Sequence, residues 1–361
     1  MESGKRATIH DVARQSGVSA ATVSKILNGV TTVKQPNVDR VMAAIEDLGY
    51  RADPVASELR QGQRRLIAAI VPELNNPFFG ALISGIEDAA ETAGYKVIFG
   101  TSRESEEREI DVIQRMHDWR VSGAILVPVQ SERGRGAALL ADLGITSVLL
   151  DRVSASSAFD TVTADNFRAS ADVAQYLAEQ GHRHILLHCA TATSEAVRMR
   201  VEGFTSFMRR LDAGIRIDVL LNDINEQDKR GVLGQHWDRY STLDTPTAVF
   251  ALSQHSTLVV LSELRRRKIT VSGQVALVGF DDADWMQTTW PSITAVAQPV
   301  EIMAKQAIAA LLTRLANDGK GYPIQHLERC VLNIRESTHS NDAGRIGRRN
   351  LDQPRTQIRG E

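Results

Sequence analysis

Between Leu66 and Phe280, short apolar runs alternate with longer stretches whose apolar residues recur at helical spacing. The runs are LIAAIV (66–71), YKVIFG (95–100), SGAILV (122–127), SVLL (147–150), HILLH (184–188), a strand near 217–221, TAVFAL (247–252) and VALVGF (275–280). Helices are expected over 81–94, 104–118, 135–142, 167–180, 195–211, 228–241 and 256–267. An apolar run without polar alternation reads as a strand buried on both faces, which calls for helices on both sides of a parallel sheet. The pattern runs twice, and so predicts an α/β body of two doubly wound lobes. Ligands in such sheets sit beyond the carboxyl ends of the strands, and a cleft between lobes is a second natural site. Polar stretches fall at those ends: PELNNPFFG, LLDRV, TADNF, MRVEGF, ALSQHS and GFDDADW.

Ahead of this body stands TIHDVARQSGVSAATVSKILNG, residues 8–29. Thr8 can cap a helix, with Asp11 in its electropositive first turn. Ile9, Val12 and Ala13 share one face, and Gly17 supplies a left-handed stop. Ser19 caps a second helix with Val23, Ile26 and Leu27 inward, and Asn28-Gly29 ends it. Two short helices across a Gly-containing turn make a helix-turn-helix. The outer face carries Ala20, Ala21, Thr22, Ser24 and Lys25, groups small enough to enter a major groove and able to bond to phosphates and base edges. A third helix follows, with Val38, Val41, Met42, Ile45 and Leu48 on one stripe, ended by Gly49. After Tyr50, RADPVASELRQGQRR offers a cap at Asp53, Pro54 in a first turn, and Val55, Ala56 and Leu59 on one face. A helix this short is marginal alone in water.

Residues 8–62 resemble the DNA-binding headpiece and hinge of the LacI/GalR family of bacterial transcription regulators, through TIHDVARQSGVSAATVSKILNG, AAIEDLGY and PVASELR. The strand-end stretches, with PSITAVAQP (291–299) as a crossover between lobes and IREST (334–338) near the end, resemble the family's periplasmic-binding-protein-like core. The implied organisation is a headpiece over 7–62 with hinge helix 54–60, a two-lobed effector-binding and dimerisation core over 63–338, and a tail over 339–361 whose composition reads as disordered. The resemblance implies a sequence-specific DNA-binding regulator, a repressor first, whose operator affinity is set by a sugar, polyol or sugar acid between the lobes. A secreted-type solute-binding protein and an activator are the alternatives.

By motif position, DNA contacts fall on Thr8, Ser19, Ala20, Ala21, Thr22, Ser24, Lys25, Asn28, Tyr50, Val55, Ala56 and Leu59. Effector contacts fall on Phe78, Phe79, Arg152, Asp165, Arg200, Asp281 and Trp285, with Ser253-Gln254 where the family carries an Asn-Asp-type pair. Aromatic faces would stack on a ring, and Arg and Asp would bond to neighbouring hydroxyls or clamp a carboxylate. The chain also departs from the family at VKQPNVDR, which lacks the usual Ser and Thr-Arg, and in the hinge at Ser57 and Glu58.

The remaining features bound the function. No apolar run reaches the roughly 18 residues of a membrane span, and MESGKRATIH lacks a secretion-signal stretch. Cys189 and Cys330 lie far apart outside any CxxC pattern, as in a cytoplasmic protein with reduced thiols. Net charge is −2, yet Lys5, Arg6, Arg14, Lys25 and Lys34 oppose only Glu2 and Asp11 in the first 34 residues, a basic tip suited to double-stranded operator DNA. SQHS beside Asp281 lacks a Gly-x-Ser-x-Gly elbow, and no phosphate loop occurs, so no enzyme and no cofactor are expected. His182, His184 and His188 share one side of a buried strand, but the outer two are about 20 Å apart, too far for one metal. One headpiece reads only a few base pairs, so a homodimer on a near-palindromic site is expected, with a tetramer left open.

Overall fold

The computed structural model describes residues 7–27, 32–50, 65–154, 158–190, 194–211, 214–221, 229–240, 245–317 and 321–339. Asn28, the hinge helix 54–60 with Val55, Ala56, Ser57, Glu58 and Leu59, and all of the tail but His339 lie outside the described residues. The chain divides into two units, Met1–Arg65 and Leu66–Glu361.

The first unit contains α1 (Ile9–Ser16), α2 (Ala20–Leu27) and α3 (Gln35–Leu48). Thr8 and Asp11 form a reciprocal capping box, Asp11 Oδ2 accepting from Thr8 N at 2.9 Å. Such a cap stabilises a helix by about 1 kcal/mol. Gly17, at φ +68°, ends α1 in the left-handed conformation that lets its N–H reach Ala13 O. Val12, Ala13, Val23, Val41 and Ala44 form the core. Two sequence expectations change here. Met42 is 55% exposed, and Ala44 takes the inner place. Met42 follows buried Val41 directly, and 100° of helical rotation carries it off the stripe. Ala20 packs against the core instead of facing outward, because it lies one turn before Val23 on the same face.

The second unit holds two six-stranded sheets. The first comprises β1 (Leu66–Val71), β2 (Lys96–Thr101), β3 (Gly123–Leu126), β4 (Ser147–Leu150), β5 (Asp160–Ala164) and β11 (Gln325–Glu328), in the order β11-β5-β4-β3-β1-β2. Its neighbouring strands are all parallel, β1 and β2 running in register from Leu66↔Lys96 to Val71↔Thr101. The second comprises β6 (His184–Cys189), β7 (Arg216–Leu221), β8 (Ala248–Ala251), β9 (Ala276–Phe280), β10 (Thr294–Ala297) and β12 (Val331–Asn333), in the order β12-β10-β9-β8-β6-β7. Among the described strands of this sheet, only β12 runs antiparallel to its neighbour.

Helices α4 (Pro77–Thr92), α5 (Glu106–Asp118), α6 (Arg135–Asp142) and α12 (Val300–Ala316) pack on the first sheet. Helices α7 (Asn166–Glu179), α8 (Glu195–Leu211), α9 (Lys229–Trp237) and α10 (Gln254–Arg266) pack on the second, and α11 (Asp284–Thr288) is a short turn beside it. Interior strands are buried on both faces, which explains their unbroken apolar sequences. Helices α7 and α8 meet backbone to backbone at Gly203, where a Cβ would stand 2.1 Å from the Phe167 carbonyl oxygen.

Thr294–Ala297, inside the stretch taken as a crossover, forms β10 of the second sheet; the crossing comes just after it. The chain passes between lobes at 164–166, 297–300 and 328–331. These passages adjoin, since Ala164 pairs with Glu328 and Ala297 with Val331. No described helix is long and apolar enough to cross a membrane, and neither Cys189 nor Cys330 forms a disulfide.

Candidate functional site

Strand ends of both sheets converge on one cleft, a cavity of about 50 Å³. On the first lobe, Asn76 caps α4, its Oδ1 accepting from Phe78 N at 3.1 Å. Pro77 starts the helix, and the Phe78 and Phe79 rings meet edge to face at 5.1 Å, both largely buried. The Arg152 guanidinium lies 5.6 Å from the Phe79 ring centre. It is gripped by Glu104, Nη1 donating to Oε2 at 2.7 Å and Nη2 to Oε1 at 2.8 Å. Burial works against the Arg152 charge, but the bonds and charge of Glu104 hold it above the usual arginine range. Asp151, just before it, has φ +66° and is buried, with Oδ1 lacking any hydrogen-bond partner. Burial holds the Asp151 carboxyl above the usual carboxylate range, against the opposing pull of Arg200 and Arg152.

On the second lobe, Arg200 of α8 is 4% exposed. Its guanidinium stacks 3.5 Å from the Phe280 ring centre. Nε donates to Asn166 Oδ1 at 2.7 Å, Nη1 donates to Leu252 O at 2.6 Å, and Nη2 stands 4.0 Å from Asp281 Oδ1. Asp281, at φ +67°, accepts from Gln298 Nε2 at 2.6 Å and from Gln254 N at 3.3 Å. That bond turns Gln298 Oε1 to a buried place with no partner. Ser253 caps α10 through Ser256 N, and Gln254 Oε1 accepts from Trp285 Nε1 at 3.0 Å. Outside this cleft a depression of about 320 Å³ shares Phe78, Asp281 and Gln298 with it and adds Trp285 as a wall.

Of the residues expected from sequence, Phe78, Phe79, Arg152, Arg200, Ser253 and Asp281 meet at the cleft. Trp285 lines the outer depression, and Gln254 braces Trp285 and Asp281. Asp165 does not line the cleft. It caps α7, its Oδ1 accepting from Arg168 N at 3.0 Å, because the chain passes between lobes there and its new helix needs a cap. Asp151, Gln298 and Glu104 were not anticipated. The sequence does carry a sign for Asp151, since LLD and VGFD both place an aspartate straight after a buried strand.

The three histidines are separate. His182 Nδ1 meets Thr247 Oγ1 at 3.1 Å, and His184 Nε2 meets Asp218 Oδ2 at 2.9 Å. Both His188 ring nitrogens are buried without partners. In the headpiece, Thr8, Ser19, Ala21 and Lys25 are exposed, while Thr22 and Ser24 are partly so. Tyr50 packs against the headpiece core.

A helix-turn-helix unit joined in one chain to a two-lobed α/β body with a polar, aromatic-walled cleft defines a ligand-responsive DNA-binding regulator. Residues 8–53 match the model of bacterial regulatory proteins of the lacI family, and residues 174–338 match the periplasmic binding protein-like domain. The chain is 32% identical over 336 residues to the HTH-type transcriptional regulator PtxS of Pseudomonas plecoglossicida, covering 92% of this chain and 96% of that protein. It is 29% identical over 344 residues to the HTH-type transcriptional repressor CytR of Escherichia coli (strain K12), covering 92% and 97%. The lac repressor dimer bound to operator and the anti-inducer ONPF shares the fold at TM-score 0.80 and 22% identity, over 93% of this chain and all of that one. A complex of the transcriptional regulator CelR with cellobiose superposes at TM-score 0.67 and 26% identity, over 92% and 100%. The chain belongs to the lacI family of bacterial regulatory proteins and is a DNA-binding transcription regulator.

Proposed function

We propose that the protein is a cytoplasmic repressor that binds a near-palindromic operator as a homodimer and responds to a hydroxyl-rich small molecule, a sugar or polyol, held across the cleft and the adjoining depression of about 320 Å³. The observation that carries the ligand class is the pair of buried acceptors without partners, Asp151 Oδ1 and Gln298 Oε1. An unpaired buried acceptor is costly, and hydroxyls supply the missing donors. The Phe78 and Phe79 rings suit the C–H face of a sugar. The CelR–cellobiose complex supports the same class.

On the DNA side, Thr8, Ser19, Ala21, Thr22, Ser24 and Lys25 present the headpiece to the major groove, with Ala20 and Tyr50 supporting it and Asn28 as a further DNA contact. Val55, Ala56 and Leu59 of the hinge enter the minor groove, Leu59 as the apolar wedge that kinks a base step. A ligand bridging two lobes favours one interlobe angle, and shifts the equilibrium only by its differential affinity for that angle. A factor of 100 in operator affinity needs about 2.7 kcal/mol of such coupling.

Calorimetry of the full-length protein against sugars and polyols, followed by operator-binding anisotropy with and without each binder, tests the reading. Binding that shifts operator affinity is expected. Leu59→Ala should weaken operator binding and leave sugar binding intact. Sugar binding with no effect on operator affinity, or unchanged operator affinity and DNA bend in Leu59→Ala, would overturn it.

A further inference from the structure

We infer that Glu109, which lies outside the cleft, is a positioning residue for effector binding: through the 128–134 loop it holds Arg152 in place, and effector affinity follows its charge. The inference rests on the cleft being the effector site, as proposed above, and adds to it a group that touches no effector.

Glu109 occupies an inner position of α5. Residues 109, 112, 113 and 116 fall on one helical face and are buried, so a carboxylate stands where the pattern calls for an apolar side chain. A Cβ at Gly136 of α6 would collide with that carboxylate, and the glycine makes room for it. Glu109 Oε2 accepts from Val129 N at 2.8 Å. The carbonyl of the same Val129 accepts from Arg152 Nη1, in the cleft, at 3.4 Å. Farther along the loop, the Glu132 carboxylate accepts from Ser154 N at 3.0 Å and from Ser154 Oγ at 2.5 Å. Arg152 and Ser154 belong to the turn that leaves β4 at the cleft. Loop and turn are therefore tied at two points, and Glu109 anchors the loop from behind.

The charges around Glu109 are Glu106 on its own helix, Glu104 after β2 and Arg152 after β4. Arg135 of α6 turns its side chain to Glu107 instead, at 3.5 Å. Burial raises the Glu109 carboxyl to about 7, so its charge changes across the neutral range. The ionised form bonds to Val129 N–H more strongly than the neutral form, and it also attracts the Arg152 guanidinium. A firmly held loop leaves Arg152 less freedom to lose when an effector arrives, and a preorganised site binds more tightly.

The test is titration calorimetry of the full-length protein and of Glu109→Gln at pH 6, 7 and 8. The probes are neutral pentoses, hexoses, disaccharides and polyols, and the matching aldonates. Glu109→Gln keeps the shape and an acceptor for Val129 N–H but carries no charge. The affinity of the wild type relative to this variant should rise by about fivefold between pH 6 and 8, with its midpoint near 7. The ratio cancels any titration of Asp151 and His255, which line the cleft in both proteins. Glu109→Met, similar in length and without an acceptor, should bind less tightly than Glu109→Gln at pH 6. Circular dichroism checks that the variants fold. A ratio that stays constant from pH 6 to 8 overturns the inference and leaves the cleft as the effector site. So does a folded Glu109→Met that binds as tightly as Glu109→Gln. Binding of no member of the panel by the wild type overturns the sugar reading itself, and this inference with it.

Discussion

Asp151 and Asp281 occupy the same station in two different sheets. Each directly follows a buried interior strand, β4 or β9, and each turns the chain with left-handed backbone, at φ +66° and +67°. Aspartate tolerates this conformation better than most residues. Their surroundings differ. Asp281 is tied by Gln298 and Gln254, whereas Asp151 keeps one oxygen unpaired.

That difference predicts the outcome of Asp151→Ala. A buried carboxyl without full compensation contributes little to stability, so thermal unfolding should shift little or upward. Effector affinity should fall by about tenfold or more. Calorimetry beside a melting curve checks both, and an unchanged affinity would remove Asp151 from the ligand shell.

Arg200→Ala should behave otherwise. Arg200 is bonded to Asn166 and Leu252 O and stacked on Phe280, so its loss strands buried partners. Breaking such a buried arrangement costs about 3–5 kcal/mol. A lowered melting temperature together with loss of the effector response is expected. Arg200→Lys should not restore the response, because one ammonium cannot reproduce the planar fork.

Glu109 predicts a pH dependence. It is 1% exposed, accepts from Val129 N at 2.8 Å, and fits against Gly136, where a Cβ would collide with it. Burial raises its pKa to about 7, against the Val129 hydrogen bond, with Glu106 adding to the rise. The folded state therefore holds this proton where the unfolded chain, titrating near 4.5, releases it. Stability from this group is present below pH 4.5 and falls as pH rises to 7, by about 3 kcal/mol. Urea unfolding at pH 5 and pH 8 should show that Glu109→Gln loses less over this interval than the wild type.

His188 predicts the opposite limb. Fully buried on β6 with both ring nitrogens unpaired, it is pushed down to about 4 by burial, and further by His255 and His236. The unfolded chain takes up this proton first as pH falls, so stability drops between pH 6.5 and 4, by about 3 kcal/mol. His188→Leu should flatten that acid limb in the same unfolding measurement. A limb of unchanged slope would mean that His188 does not titrate differently in the two states.

The alternating body was legible because buried strands and amphipathic helices differ in period, and the headpiece because Thr8, Gly17 and Gly49 punctuate it. Strand β11, QHLE at an edge, has no apolar run; its pairing with β5 comes from tertiary structure. Helix α12 buries Met303, Ala304, Ala307, Ile308, Ala310 and Leu311 on one face, but Ile302, 49% exposed, and Ala309 put apolar residues on the other, which hides the stripe in the sequence. At the site, strand-end aspartates and arginines were found as a class, but not by individual role. Asp151 and Arg152 are adjacent, and which one faces a ligand depends on the turn between them. Asp165 resembles a ligand contact in sequence, and in the structure it caps α7. Gln298 stood in the crossover stretch without a motif of its own, and its unpaired oxygen exists only because Asp281 takes its amide nitrogen.

The three passages between the lobes lie side by side, with Asp165 N bonded to Glu328 O at 2.7 Å and Ala297 paired with Val331. Mechanically they make a leaf flexure: parallel ribbons clamped at both ends, compliant to bending across their common plane and stiff to stretching and to sliding. One lobe can then tilt on the other through a single angle, and work done by a molecule seated between them is delivered into that tilt instead of being dispersed over many small displacements.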